Sequence, residues 1–255
     1  MTDLSVAIIT GGAQGLGAAI ANALLKNGYK VCIADINEQT GQKLVAELAK
    51  CFGQEKIFFA VCDVTKESDY KKLFYLTLEK FKRIDVLINN AGIIAEKNPR
   101  KVLDVNVMGP IIGCQTALEY MGKSKGGKGG IVINTASLAG FLPLPSIPVY
   151  VASKHAVVGL TRSYGLTYHL KRDGVIFMAL CPSYINTDLL HVFNHESLIE
   201  GTDVTNRPDT MSPDYVAQGV LKLLKDKING STLVVTNEGY NYVGFPEELK
   251  HASLE

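Results

Sequence analysis

The stretch that decides the fold is Thr10-Gly11-Gly12-Ala13-Gln14-Gly15-Leu16-Gly17. It follows the apolar run 6–9 and leads into an amphipathic segment that begins at Leu16. Glycine allows a tight turn, and the N–H groups at the start of the next helix can bind an anion such as a pyrophosphate. The stretch therefore predicts a strand–turn–helix unit that binds a dinucleotide. A glycine-rich turn that only packs against its neighbours is the alternative.

Apolar runs rich in β-branched residues alternate with amphipathic segments along the rest of the chain. The predicted strands are Ser5–Thr10, Lys30–Asp35, Ile57–Cys62, Val86–Asn89, Gly130–Thr135, Val175–Cys181 and Thr232–Thr236. The predicted helices are Leu16–Asn27, Glu38–Cys51, Lys66–Phe81, Pro99–Met121, Ala152–Lys171 and Pro213–Lys225. Continuously apolar strands are typical of a sheet that is covered on both faces. The alternation predicts an α/β fold of the Rossmann type, a doubly wound, seven-stranded parallel sheet with helices on both faces.

The stretch 189–211 differs from the other connections. It is polar, weakly periodic and long for a loop in a compact domain. Its apolar side chains are Leu189, Leu190, Val192, Phe193, Leu198 and Ile199. We predict that it is a substrate lid within one nucleotide-binding and catalytic domain that comprises residues 1–255. A surface helix that covers the core is the alternative.

The composition argues against several classes of function. The formal net charge is +1 and the lysines are scattered, so we expect no binding to nucleic acid. No apolar run is long enough for a membrane span, and the N-terminus does not resemble a signal peptide. The five cysteines include no CxxC pair, so we expect neither a disulfide framework nor a metal site. A reducing compartment, the cytoplasm, fits this cysteine pattern best.

Carboxylates and small residues stand where successive predicted strands end. Asp35 ends the second strand, where a carboxylate can accept hydrogen bonds from ribose hydroxyls and would repel a 2′-phosphate. No arginine or lysine lies near the glycine turn or directly after Asp35, so the sequence predicts NAD rather than NADP. A solvated aspartate at a strand end is the alternative. Asp63-Val64 and Asn89–Gly92 follow the third and fourth strands, on the same rim.

Tyr150 and Lys154 lie four residues apart in Tyr-Val-Ala-Ser-Lys, and Ser137 precedes them in Asn-Thr-Ala-Ser. Residues with this spacing share one face of a helix. A nearby positive charge favours the phenolate and lowers the tyrosine pKa from about 10. Such a tyrosine can exchange a proton with an alcohol or a carbonyl near neutral pH. Taken alone, a tyrosine is usually a half-buried packing residue and a lysine is usually a surface residue.

With these motifs in order, the chain resembles the short-chain dehydrogenase/reductase family in its single-domain form, from Val6 to about Val235. The matching positions are Thr10–Gly17, Asp63-Val64, Asn89–Gly92, Asn106, Ser137 and Tyr150–Lys154. The resemblance implies hydride transfer between NAD and an alcohol or ketone. It also implies a homodimer or homotetramer, because helices such as Pro99–Met121 pair across a two-fold axis in the family.

The resemblance assigns roles to the four catalytic residues. Tyr150 would take the hydroxyl proton during oxidation, and Lys154 would lower its pKa and bind the nicotinamide ribose. Ser137 would orient the substrate oxygen, and Asn106 would hold a water that links Lys154 to solvent.

The implied cofactor site extends over all the strand ends. After the sixth strand, Thr187 matches a family threonine that meets the carboxamide of nicotinamide, while Ser183 stands where the family often has glycine. The cofactor-binding residues are Gly11, Gln14, Gly15, Leu16, Gly17, Asp35, Ile36, Asp63, Val64, Asn90, Ala91, Gly92, Tyr150, Lys154, Pro182, Ile185 and Thr187.

The implied substrate site consists of Ser137, Ile147 and Tyr150. The segments around Ser137 and Tyr150 resemble those of the NAD-dependent hydroxyprostaglandin dehydrogenases and of insect-type alcohol dehydrogenases. The former have a glutamine where this chain has Ile147. We therefore predict the oxidation of an apolar or lipid-like secondary alcohol to a ketone, with a hydroxyprostaglandin as one candidate. A carbonyl reductase and a non-catalytic NAD(H)-binding sensor are the alternatives.

Overall fold

One mixed sheet of eight strands runs through the computed structural model, which describes residues 5–191, 198–199 and 209–244. The strands are β1 (Val6–Thr10), β2 (Lys30–Asp35), β3 (Ile57–Val61), β4 (Val86–Asn89), β5 (Gly130–Thr135), β6 (Val175–Pro182), β7 (Thr232–Thr236) and β8 (Gly239–Tyr242). Their order is β3-β2-β1-β4-β5-β6-β7-β8. The first seven pair in parallel and β8 is antiparallel to β7. The predicted fold class is confirmed.

Helices connect most of the strands. They are α1 (Gly15–Lys26), α2 (Glu38–Phe52), α3 (Glu67–Phe81), α4 (Pro99–Leu103), α5 (Gly109–Met121), α6 (Pro148–Tyr164), α7 (Thr167–Asp173), α8 (Asp188–His191) and α9 (Pro213–Asp226). A π-helical turn, Asp104–Met108, joins α4 to α5. Short 3₁₀ turns lie at Gln54–Lys56, Lys123–Lys125 and Leu138–Gly140.

The prediction of seven strands was one short, because β8 is brief and only partly apolar. A two-residue turn, Asn237-Glu238, reverses the chain between β7 and β8. The hydroxyl of Tyr240 donates to the carbonyl of Tyr215 at 2.7 Å, and the hydroxyl of Tyr242 donates to Asp226 at 2.8 Å. Both tyrosines therefore hold β8 against α9 and close the edge of the sheet.

The predicted helix Ala152–Lys171 is two helices in the structure. The first, α6, already begins at Pro148, a residue that lacks an N–H and suits the first helical position. It ends at Tyr164, and a side chain on the following residue, Gly165, would collide with the backbone of Gly230. The early start places Tyr150 in the first turn of the helix.

Two apolar layers cover the sheet. Side chains of α1, α2 and α9 pack on one face, around Ile20, Leu24 and Val220. Side chains of α3 and α5 pack on the other, around Phe74 and Cys114. The chain begins in the middle of the sheet, runs outward to β3 and then crosses to β4. The neighbouring strands β1 and β4 thus mark the position where ligands bind to open α/β sheets.

Candidate active site

A cleft of about 940 Å³ lies along the carboxyl ends of the strands. All the residues that the sequence predicts for cofactor and substrate binding lie on its wall. Of the four predicted catalytic residues, Ser137, Tyr150 and Lys154 lie on this wall, whereas Asn106 lies directly behind it. The structure therefore brings together residues from six strand ends that are far apart in the sequence.

The glycine turn fits closely between β1, β4 and α1. Gly11 has a φ of +60°, and a Cβ there would lie 2.7 Å from the Cα of Ala91. A Cβ on Gly17 would lie 2.2 Å from the carbonyl oxygen of Gly11. The N-cap residue of α1, Gln14, makes no side-chain hydrogen bond to the helix. The N–H groups of the first turn are thus not capped by that side chain and can bind a pyrophosphate.

Asp35 is bound to the same turn. One carboxylate oxygen accepts from the N–H of Ala13 at 3.1 Å, and the other accepts from the N–H of Asn37 at 3.0 Å. Each oxygen keeps capacity for a further hydrogen bond, as contacts to two ribose hydroxyls would need. Beside it, the side chain of Ile36 is 72% exposed on the cleft wall.

Asn90 joins β4 to the glycine turn. Its side-chain N–H group donates to the carbonyls of Thr10 and Gly11 at 3.1 and 3.0 Å. The hydroxyl of Thr10 in turn accepts from the N–H groups of Asn90 and Ala91. The two central strand ends thus have a fixed spacing at the floor of the cleft.

The rim after β6 lies against the glycine turn as well. A Cβ on Gly15 would lie 3.2 Å from the Thr187 side chain, so these two predicted cofactor residues are neighbours. Ile185 pairs with Met211 in an isolated parallel bridge. Ser183 has no positive φ and donates its N–H to the carbonyl of Val235 at 2.9 Å. The turn therefore does not need the glycine that is common in the family.

Tyr150, Ser137 and Lys154 form a buried cluster at one end of the cleft. The Ser137 hydroxyl donates to the carbonyl of Pro182 at 3.4 Å and accepts from the N–H of Ala139 at 3.1 Å, and it lies close enough to the Tyr150 phenol to lower the pKa of that group. The Lys154 ammonium donates to the carbonyl of Thr135 at 2.9 Å and lies 5.5 Å from the centroid of the Tyr150 ring. Tyr150 is 8% exposed and Lys154 is 4% exposed. A proton donor and a cation are therefore held beside a space that a small molecule can enter.

Burial controls the titration of this cluster. It raises the pKa of Tyr150 to about 12, although the nearby Ser137 hydroxyl acts in the opposite direction. Burial also lowers the pKa of Lys154 to about 8, and a smaller effect of Cys181 raises it. The spacing of Tyr150 and Lys154 predicts a lowered tyrosine pKa, and this prediction is wrong, because the pKa is raised. The reason is that loss of water around the phenolate outweighs an ammonium directed at Thr135.

Asn106 lies in the π-helical turn between α4 and α5. Its carboxamide accepts from the N–H of Ile93 and donates to the carbonyl of Ile93, both at 2.9 Å. It also donates to the hydroxyl of Ser153 at 3.1 Å. Asn106 therefore joins the loop after β4 to the helix that carries Tyr150 and Lys154. Its predicted role in holding a water stays a prediction.

Apolar side chains outside the predicted site also line the cleft. They are Ile94, Leu138, Leu142, Leu144 and Tyr184, and they line the cleft together with Leu189 and Leu190 of the predicted lid. Leu198, from the predicted lid, is fully buried among Ile94, Ile147 and Tyr150. The rest of the lid, 192–197 and 200–208, lies outside the described residues. Apolar residues clustered in loops have no periodicity, so no pattern in the sequence indicates the part of this pocket that lies outside the predicted lid.

Cations also lie on the wall. Arg100 and Lys101 contribute to it, and Arg100 is paired with Asp104 at 3.0 Å. Both belong to α4, far along the chain from the glycine turn and from Asp35.

Within the described ranges, no group of three histidine, cysteine or acidic residues could hold a metal ion. In the same ranges, no helix is long and apolar enough to cross a membrane.

Comparison with known proteins gives a consistent result. The sequence profile of the family described as short chain dehydrogenase matches residues 5–197. A human 15-hydroxyprostaglandin dehydrogenase [NAD(+)] is 38% identical over 247 residues, which cover 93% of this chain and 93% of that protein. The (+)-borneol dehydrogenase 2 of Salvia officinalis is 31% identical over 91% of this chain and 83% of its own.

A solved structure is similar over the whole fold. A short chain dehydrogenase/reductase from Burkholderia phymatum, in complex with NAD, superposes with a TM-score of 0.77 at 26% identity. The match covers 91% of this chain and 89% of that one. The resemblance that the motifs indicated is confirmed, and this chain belongs to the short-chain dehydrogenase/reductase family.

Proposed function

We propose that this protein is an NAD-dependent alcohol dehydrogenase that oxidises an apolar secondary alcohol to a ketone. The observation that carries the proposal is the buried cluster of Tyr150, Ser137 and Lys154, on the wall of the cleft that also contains the glycine turn and Asp35. The residues of that cleft fit NAD, which when bound supplies the acceptor for the hydride. The relative that is a 15-hydroxyprostaglandin dehydrogenase [NAD(+)] supports the same cofactor and reaction class.

Each polar residue of the cluster has a proposed task. Ser137 holds the substrate hydroxyl through its own hydroxyl, which lies near the Tyr150 phenol and donates to the carbonyl of Pro182 at 3.4 Å. Tyr150 accepts the hydroxyl proton as the hydride leaves the carbinol carbon. Lys154 contributes a positive charge that favours the phenolate at the moment of transfer. Because burial raises the pKa of Tyr150, a positive charge nearby acts in the direction that proton acceptance near neutral pH requires.

The substrate is proposed to be apolar because the space beside Tyr150 has apolar walls. Ile147 is 2% exposed and packs with Ile94 and Leu198 in the cluster that contains Tyr150. No glutamine stands at position 147 to bind a second polar group of the substrate. Two relatives are named as a hydroxyprostaglandin dehydrogenase and a borneol dehydrogenase, and both of these substrates carry an alcohol on a largely hydrocarbon framework. A hydroxyprostaglandin stays one candidate among these.

The main test combines substrate turnover with one substitution. Purified protein is mixed with NAD⁺ or NADP⁺ and a panel that includes a prostaglandin, a sterol, a terpene alcohol and short secondary alcohols, and NAD(P)H is followed by absorbance. We expect turnover with NAD⁺ on the apolar members. Tyr150→Phe should abolish turnover while NADH still binds, as judged by its fluorescence.

The alternatives predict other results. A carbonyl reductase would convert ketones with NADH faster than it oxidises the matching alcohols at equal saturation. A non-catalytic sensor would bind NADH without turning over any member of the panel, and Tyr150→Phe would change nothing. Tyr75→Phe is a suitable control, because Tyr75 is 60% exposed on α3 and does not line the cleft.

Three further expectations belong to the proposal. We propose that 189–211 closes over the substrate, for which the burial of Leu198 against Tyr150 is the support. We also propose a homodimer or homotetramer in the cytoplasm. Light scattering of the purified protein at several concentrations checks the oligomeric state, and a monomer at all of them would contradict it.

A further inference from the structure

Glu96 caps the helix that carries Tyr150. It belongs to the loop after β4, and it is only 8% exposed. Its two carboxylate oxygens accept one hydrogen bond each, from the N–H of Val149 and from the N–H of Tyr150, both at 2.9 Å. A buried glutamate with both oxygens on the first turn of one helix is thus fixed in a single geometry.

The local sequence of α6 provides no other cap. Pro148 at its first position lacks an N–H, and the N-cap residue Ile147 has an apolar side chain. The first turn therefore depends on a carboxylate from elsewhere in the chain to satisfy its free donors. The negative charge also complements the positive end of the helix dipole, and hydrogen bonds to a charged acceptor are the stronger kind.

The same loop is fixed a second time. Three residues before Glu96, Ile93 exchanges two hydrogen bonds with Asn106. Between them, Ile94 packs in the apolar cluster of Ile147 and Tyr150. The position of Tyr150 therefore depends on the loop after β4 as well as on α6. That loop also forms part of the cleft wall through Asn90, Ala91 and Gly92.

We propose that Glu96 is a positioning residue for the reaction: it fixes the first turn of α6, so that the phenol of Tyr150 keeps its place beside Ser137, directed at the substrate oxygen. This inference rests on the proposed function of Tyr150. Glu96 itself touches neither substrate nor cofactor in the proposed mechanism. A neutral cap at position 147 would satisfy fewer donors and would not connect the helix to the cofactor side of the cleft.

The kinetic test compares Glu96→Ala, which removes both acceptors, with Glu96→Gln, which keeps one. We expect kcat to fall about 10- to 100-fold in Glu96→Ala, because a displacement near 1 Å can cost about 100-fold. Glu96→Gln should lose less, and the KM for NAD⁺ and the Kd for NADH should be unchanged in both. Glu67→Gln is the matched control, a glutamate in the first turn of α3 that is paired with Lys71 on the surface.

A purely structural cap would give a different pattern. Glu96→Ala would then have a lower Tm but a normal kcat when assayed well below that temperature, and this result would overturn the inference. If Glu96→Ala does not fold, Glu96→Gln alone decides: a kcat equal to that of Glu67→Gln also overturns it.

Hydrogen exchange provides a measurement that needs no turnover. In peptides that cover 147–154, both Glu96 variants should exchange faster than the wild type, while peptides of α3 and α9 should not change. Unchanged exchange in 147–154 would overturn the positioning role. If the wild type oxidises no alcohol but its segment 147–154 exchanges more slowly than the same segment in the Glu96 variants, the proposed function fails while the capping contact of Glu96 stands.

Discussion

The ammonium group of Lys154 lies 5.5 Å from the centroid of the Tyr150 ring and donates to the carbonyl of Thr135, not to the phenol. Both groups are buried, so the pKa of Lys154 is lowered to about 8 while that of Tyr150 is raised to about 12. The pair is thus held where water stabilises neither charged form. The protein keeps a cation in this position at a cost in stability.

Lys154→Met should therefore stabilise the protein near neutral pH. The folded-state pKa of Lys154 lies below its value of 10.5 in the unfolded chain. Folding is therefore unaffected by this lysine above about pH 10.5, and it becomes less favourable as the pH falls through about 8. Holding the ammonium at pH 7 then costs roughly 3 kcal/mol, less about 1 kcal/mol from the bond to Thr135. We expect the variant to be more stable by about 2 kcal/mol in urea unfolding at pH 7.

The gain should shrink toward about pH 10, because the wild-type lysine is neutral there in the folded state. Tyr150 does not disturb this comparison, since its raised pKa affects stability only between about 10 and 12. Lys50→Met, at an exposed position on α2, is the control. A Lys154→Met variant that is less stable than the wild type at both pH values would contradict the argument.

Asp35→Asn should weaken discrimination between the two nicotinamide cofactors. The substitution removes a negative charge at the end of β2, where Asp35 accepts from Ala13 and Asn37. We expect kcat/KM for NAD⁺ to fall about 10-fold, equivalent to about 1.4 kcal/mol, while activity with NADP⁺ rises or stays constant. Steady-state kinetics with both cofactors measures the ratio.

Glu38→Gln is the matched control for that substitution. Glu38 is exposed at the start of α2 and bonds only to Gln42 among its described partners. An unchanged ratio of NAD⁺ to NADP⁺ activity in Asp35→Asn would show that another part of the wall, such as Arg100 or Lys101, selects the cofactor.

Much of the fold could be predicted from the sequence because parallel strands covered on both faces are apolar throughout. The end of each apolar run predicted the end of a strand. The residues that follow these ends form much of the cleft wall, so that part of the wall was predicted as well. The cap from Glu96 could not be found in this way, since it joins residues 53 and 54 positions apart in the chain. The titration of Tyr150 was predicted with the wrong sign, because spacing along a helix reveals a neighbouring charge but not the loss of water.

Ile147→Gln should change the preference among alcohols. Ile147 is 2% exposed and lies in the apolar cluster with Tyr150, so a carboxamide there offers a new hydrogen bond to the substrate. We expect the ratio of kcat/KM for a polar alcohol to that for an apolar one to rise about 10-fold, since one such bond contributes about 1–3 kcal/mol. Competition assays with paired substrates measure this ratio directly.

The control for that variant is Ile228→Gln, at a position that is 48% exposed and does not line the cleft. Equal ratios in the wild type and Ile147→Gln would mean that this side chain does not face the substrate, and the prediction of an apolar alcohol would lose its main support.

Leu198→Ala tests the proposed lid. Leu198 is fully buried against Ile94, Ile147 and Tyr150, so its truncation leaves a cavity over the site. The loss of this packing should destabilise the closed position of the segment by about 2–5 kcal/mol. We expect the KM for the preferred alcohol to rise at least about 10-fold, with little change in the KM for NAD⁺. Ile199→Ala is the adjacent control, because Ile199 is 45% exposed. Similar KM values in the two variants would argue for a surface segment instead of a lid.

The π-helical turn Asp104–Met108 has a consequence for how this chain can change. A π turn is equivalent to one residue inserted into an α-helix, which rotates everything beyond it by about 100°. Deleting a single residue from 104–108 would restore a regular helix, and the regained hydrogen bonds would favour it locally. The same deletion would turn Asn106 away from Ile93 and release the loop before α4. At this point a more regular helix and the contact between Asn106 and Ile93 are alternatives, so a chain that depends on this contact should retain the extra residue even where the surrounding sequence diverges.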